Sequence, residues 1–161
     1  MKKIIVLTLC AVMALGAFAG CAKKGEETEN VPTADVLTAV KEAYGADELP
    51  MMQELDATSL ETLYGIKAED VTEFSGAVPM MNVQAQEFVV FKAKDGKTDV
   101  IKTAIEKRQK DLDATWSQYL PEVYEYVKKA QVVEKGDYVL FAVAPDAQKA
   151  VDAFNSALTA K

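Results

Sequence analysis

The chain has 161 residues, with 18 Lys and Arg against 25 Asp and Glu, no histidine, and a formal charge of −7. Without histidine, Ser-His-Asp triads, Cys-His pairs and histidine-ligated metal centres are excluded. The acidic balance is repelled by phosphate backbones and by anionic lipid, so neither is expected as a partner.

Met1-Lys2-Lys3 precedes an apolar run over residues 4–14, and small residues follow up to Cys21. A basic start, a short apolar stretch and small residues before a cut describe an export signal, too short to stay in a bilayer as a span. Phe18-Ala19-Gly20-Cys21 resembles the lipobox of bacterial lipoproteins, with Phe18 where Leu is usual. The resemblance implies a signal peptide over residues 1–20, cleavage before Cys21 and diacylation of its thiol. The protein would then sit on the extracytoplasmic face of a cell membrane, held by the lipid on Cys21. Losing Lys2 and Lys3 reduces 18 basic residues to 16 against the same 25 acids, so the remaining 141 residues carry −9. Cys10 leaves with the signal and Cys21 is acylated, which leaves no cysteine for a disulfide, and the core must hold by packing.

Residues 21–32 read as the lipidated cysteine and a flexible tether, because Glu26, Glu27 and Glu29 occur there with no apolar period. Residues 33–161 read as one α+β domain. Thr33 is the expected N-cap of a helix with Val36, Leu37, Val40 and Ala43 or Tyr44 on one face and Gly45 as its stop. Residues 48–55, with Pro50 and Met51-Met52, read as a loop or a short extended piece. Thr58 or Ser59 is expected to cap a short helix ending at Gly65. A first strand over residues 71–78 ends at Pro79-Met80-Met81-Asn82, a turn or bulge, since Pro79 cannot donate to a ladder.

The second strand is expected over residues 84–93, with Phe88, Val90 and Lys92 on one side and Val89, Phe91 and Ala93 on the other. Both sides are mostly apolar, so the strand belongs in the middle of a sheet covered on two faces. Asp95-Gly96 leads into a long helix with Val100, Ile101, Ala104, Ile105, Arg108, Leu112 and Trp116 on one face, and Pro121 starts another. A hairpin about Lys135-Gly136 and a last helix bearing Ala147, Ala150, Val151, Phe154 and Leu158 complete the chain. The stretch from Glu87 is echoed fifty positions later: Phe88 aligns with Tyr138, Val89 with Val139, Val90 with Leu140 and Phe91 with Phe141. The expected fold is a four-stranded antiparallel sheet with helices packed on it, built from a repeated hairpin–helix unit. Both repeat helices should meet the face of Val89, Phe91, Val139 and Phe141. The Thr33–Tyr44 helix should cover the other face.

Little catalytic chemistry remains. No glycine-rich phosphate loop is present, no serine is followed three residues later by lysine, and no cofactor is expected. Asp111-Leu112-Asp113-Ala114-Thr115 matches the D-x-D-x-T string of phosphoryl-transferring hydrolases, but it lies inside a helix rather than at a strand end. Glu69, Asp70 and Glu73, or Glu122 and Glu125, offer paired carboxylates for an acid-only hydrolase, but such pairs arise everywhere in an acidic chain, and Ala68-Glu69-Asp70 reads rather as a helix start. Met51-Met52 and Met80-Met81 are two pairs in irregular segments. Thioethers bind Cu(I) and also make adaptable apolar surfaces, while their commonest use is to fill gaps in a core. Trp116, Tyr119, Tyr124 and Tyr126 gather around Pro121, as core or as a platform for a glycan or peptide.

Val78-Pro79-Met80-Met81-Asn82-Val83, Glu87-Phe88-Val89-Val90-Phe91-Lys92, Glu106-Lys107-Arg108 and Tyr119-Leu120-Pro121 together resemble a family of small clostridial, Gram-positive lipoproteins carrying a domain of unknown function (DUF4358-like). The resemblance covers residues 60–158. It implies a lipid anchor and carries no catalytic residues. The function expected is a non-enzymatic, lipid-anchored binding or interaction domain facing an envelope protein, peptide or glycan, with Met80, Met81 and Asn82 bordering its surface. The alternative is a carrier of a small ligand or Cu(I) through the methionine pairs.

Overall fold

The computed structural model describes residues 28–45 and 47–159. The expected signal peptide, Cys21 and residues 22–27 of the tether lie outside the described residues. In chain order the elements are α1 (Thr33–Glu42), β1 (Met52–Glu54), α2 (Ala57–Tyr64), a 3₁₀ turn (Ala68–Asp70), β2 (Val71–Pro79), β3 (Glu87–Ala93), α3 (Thr98–Trp116), α4 (Pro121–Val127), β4 (Gln131–Lys135), β5 (Tyr138–Val143) and α5 (Ala147–Ala157). The class is α+β, as the alternation of strand pairs and helices requires.

The sheet is antiparallel and has five strands, not four, in the order β1-β2-β3-β5-β4. The added strand is β1, where Met52 pairs with Pro79 and Glu54 with Ala77. Three residues are too few to show a period. What makes them a strand is the outer edge of β2, far along the chain. Central β3 pairs on both sides, and Phe88, Val89, Val90 and Phe91 are fully buried, as two covered faces demand.

Two helical layers cover the sheet. On one face α2, α3 and α4 bring Leu60, Tyr64, Ile101, Ile105, Leu112, Trp116 and Val123 onto Val89, Phe91, Val139 and Phe141. On the other, α1 and α5 bring Val36, Leu37, Val40, Ala150 and Phe154 onto Phe88, Val90, Tyr138 and Leu140. The α1 cover is as expected. The α5 placement corrects the expectation that both post-hairpin helices share a face. A two-fold axis relating the antiparallel neighbours β3 and β5 must stand normal to the sheet. Such an axis would leave α3 and α5 on the same side, so the equivalence does not extend to the helices. The chain leaves β5 through Ala144, which is buried in the α1–α5 layer, and that exit commits α5 to it.

Smaller corrections concern caps and turns. Pro32, not Thr33, is the N-cap of α1; Thr33 is buried, with its hydroxyl on the Ser75 hydroxyl at 2.9 Å. Asp56 caps α2 by accepting from the Ser59 N–H at 2.7 Å. β3 begins at Glu87 rather than three residues earlier, and the β4–β5 turn is Gly136-Asp137, because Lys135 pairs with Tyr138 and Gly136 supplies the positive φ of 61°. Val100 faces solvent instead of the α3 core stripe. Residues 28–32 do not belong to a free tether: Thr28 bridges Thr159, and the Val31 carbonyl accepts from the Tyr138 hydroxyl at 2.7 Å. Among the described residues, no helix is long and apolar enough to cross a membrane.

Candidate functional site

β2 ends at Pro79, and the chain turns before β3. The Met80 N–H donates to the Met51 carbonyl at 3.0 Å, which continues the β1–β2 pairing by one residue, and Gln84 N–H closes the turn on the Met81 carbonyl at 3.2 Å. Directly opposed residues of an antiparallel pair point to the same side. Met51 and Met80 therefore stand side by side, and they are 69 % and 59 % exposed. Met81 is 48 % exposed, Asn82 is exposed, and Val83 follows. The Met51-Met52 pair splits across the sheet: Met52 is half-buried against the α1–α5 layer.

The base of this projecting turn is fixed. Ala85 N–H donates to the Tyr126 hydroxyl at 3.4 Å, and Gln86 Nε2 donates to the Glu48 carbonyl at 2.8 Å. Glu87 is fully buried; its carboxylate takes Arg108 Nη2 at 2.7 Å and Nε at 3.2 Å, and the Tyr64 hydroxyl donates to its other oxygen. Burial and the Glu87 charge push the Tyr64 hydroxyl well above the usual tyrosine range. Burial opposes the charge on Arg108, but the Glu87 carboxylate outweighs it and raises the guanidinium further. The sequence reading missed this network. Its signal was present: Arg108, the chain's one arginine, stands on the buried α3 stripe between Ile105 and Leu112, and a charge there requires a buried partner.

Val83 and Gln84 share an open depression of about 580 Å³ with Leu120, Pro121, Glu122 and Val123 of the α3–α4 junction. The half-exposed Tyr119 precedes Leu120, and its ring lies 5.8 Å from that of the buried Trp116. The methionine turn and the aromatic junction, far apart in sequence, thus border one surface. Tyr124 is turned elsewhere, donating to Asp113 Oδ1 at 2.6 Å, and that bond raises its hydroxyl above the usual range.

Three of the carboxylates weighed for hydrolysis are engaged in structural bonds. Asp70 accepts from Lys67 N–H at 3.2 Å, Glu73 accepts from Thr33 N–H at 3.1 Å, and Glu125 pairs with Lys128 at 2.7 Å, which holds its carboxyl below the usual range. Asp111 and Asp113 are exposed on α3, where Thr115 donates back to the Asp111 carbonyl, so the D-x-D-x-T string is a solvated helix face. Among the described residues, no three His, Cys, Asp or Glu side chains gather to hold a metal.

The family model for the domain of unknown function DUF4358 matches residues 44–144. The chain belongs to the DUF4358 family. The matched span runs from the end of the α1 segment to the exit of β5, earlier at both ends than the resemblance read from the sequence. It holds the whole sheet, the Glu87–Arg108–Tyr64 network and the methionine turn, while α1 and α5 lie outside the DUF4358 match. No curated protein and no solved structure matches the chain.

Proposed function

We propose that this DUF4358 protein is a lipid-anchored, extracytoplasmic interaction domain without catalytic activity, and that it docks an envelope protein or peptide on the rim formed by Met51, Met80, Met81, Val83 and Tyr119. The observation that carries the reading is the exposure of these large apolar side chains at one end of an acidic body, three of them on a turn whose base is pinned at three successive residues. Exposed apolar side chains that adjoin one another favour a partner surface, and thioethers adapt to uneven ones. Asn82 adds an amide that donates and accepts. The anchor rests on Ala19-Gly20-Cys21. Its test is metabolic labelling with a fatty-acid analogue: Cys21→Ser should lose the label and leave the membrane, and a labelled, membrane-bound variant would contradict it. The docking surface is tested by recovery of partners from envelope extract with Met80→Ala/Asn82→Ala, after circular dichroism shows the fold intact. Loss of a partner is expected; the same partners in the same yield would remove the turn.

A second reading is favoured by the opposition of Met51 and Met80, which sets two thioethers on one side of the β1–β2 edge. It makes the rim a Cu(I) carrier. Titration with Cu(I) separates the two: stoichiometric binding that Met51→Leu/Met80→Leu/Met81→Leu abolishes would establish the carrier.

A further inference from the structure

Residues 28–33 are stitched to one end of the sheet. Glu29 N–H donates to the Leu158 carbonyl at 3.4 Å beside the Thr28–Thr159 bridge, and Lys92 Nζ donates to the Asn30 side chain. The Tyr138 hydroxyl holds the Val31 carbonyl, and the buried Thr33 donates its N–H to Glu73. Thr28 lies so close over Gly136 that a Cβ there would collide with its side chain. This is the end where Val71 pairs with Ala93 and Lys92 with Tyr138. Met52–Pro79 and Glu87–Val143 pair at the other end, which carries the methionine turn. The seven residues of β3 separate the two ends by about 20 Å.

We propose that residues 28–33 are a strap that seats the anchored domain end-on at the membrane, with the Gly136-Asp137 turn and residues 94–97 beside the lipid headgroups and the methionine rim pointing away. The proposal rests on the Cys21 anchor. Six residues, 22–27, separate Cys21 from Thr28. Such a linker reaches about 25 Å when extended and averages about 15 Å as a flexible coil. Were residues 28–32 free as well, the extended reach would be about 40 Å, about twice the separation of the two ends.

The test uses full-length protein taken up into vesicles of phosphatidylethanolamine and phosphatidylglycerol that carry a headgroup spin label. The Cys21 thiol bears the lipid, so Lys97→Cys or Met81→Cys supplies a single thiol for a fluorophore. A label at position 97 should be quenched several-fold more than one at position 81. A Gly/Ser spacer inserted after Gly25, which leaves the strap untouched, should shrink the difference. Vesicle flotation reports the anchor separately. Protein that does not float sinks the anchor reading and the orientation with it. Protein that floats but is quenched equally at the two positions, or more at 81, overturns the orientation alone.

Discussion

The Glu87 side chain is 1 % exposed, and Arg108 and Tyr64 supply the donors to its carboxylate. Removing only the cation strands the carboxylate, so Arg108→Leu should cost about 3–5 kcal/mol. Glu87→Leu/Arg108→Leu removes both charges and should recover much of that loss, with about 1–3 kcal/mol remaining for the Tyr64 hydroxyl left without an acceptor. Urea melts of the two variants decide it: a double variant no more stable than the single one would show that the pair is not the source of the cost. A second residue-scale expectation concerns alkali. Burial raises Tyr44 from 10.0 to about 12, and burial with the Glu87 charge raises Tyr64. The folded values lie above the unfolded one, so their contribution is complete below pH 10 and is lost as pH rises toward 12 and beyond. Stability should fall steeply above pH 10, and tyrosinate absorbance should show these two ionising last. A folded protein in which every tyrosine ionises together near pH 10 would refute it.

At the scale of elements, Phe91 and Phe141 occupy β3 and β5 and are both fully buried under α2 and α3, each edge-to-face with Tyr64 at 5.5 and 6.3 Å. Phe91→Ala and Phe141→Ala should each destabilise the domain by about 3–5 kcal/mol, read from denaturant midpoints. A near-neutral result at either position would contradict the covered face described above. β3 and β5 were legible in the sequence because alternation places Phe88 and Val90 opposite Val89 and Phe91, with apolar residues on both sides. β1 was not, since Met52-Gln53-Glu54 has no pattern of its own and becomes a strand only against Ala77–Pro79. The stripe on α5 was legible too, but a stripe does not say which face of the sheet it will cover; the exit through Ala144 decides that. Polar composition suggests a tether over residues 28–32, whereas Glu29 and Val31 are held by a carbonyl and a hydroxyl distant in sequence. Of the candidate site, the turn at Pro79 could be read directly, whereas Met80 and Met81 suited a core as well as a rim. The meeting of that turn with Leu120 and Pro121 depends on how α3 and α4 fold back, which no local pattern encodes.

For the whole molecule, the sheet has two differently used ends. One is bound by the strap and leads back toward Cys21; the other bears Met51, Met80 and Met81 on a pinned base. Among the described residues, the polar cluster of Glu87 with Arg108 and Tyr64 is buried and internally satisfied. An interaction domain needs a rigid frame and an accessible apolar rim. The most direct measurement is site-specific photo-crosslinking on intact cells, with a photoreactive side chain at position 80 and, as control, at the exposed position 132 on edge strand β4. A discrete adduct to an envelope protein or peptide at position 80, absent at 132, is the expected result. The same adducts at both positions, or none at position 80 in protein that is folded and at the membrane, would contradict the proposed function.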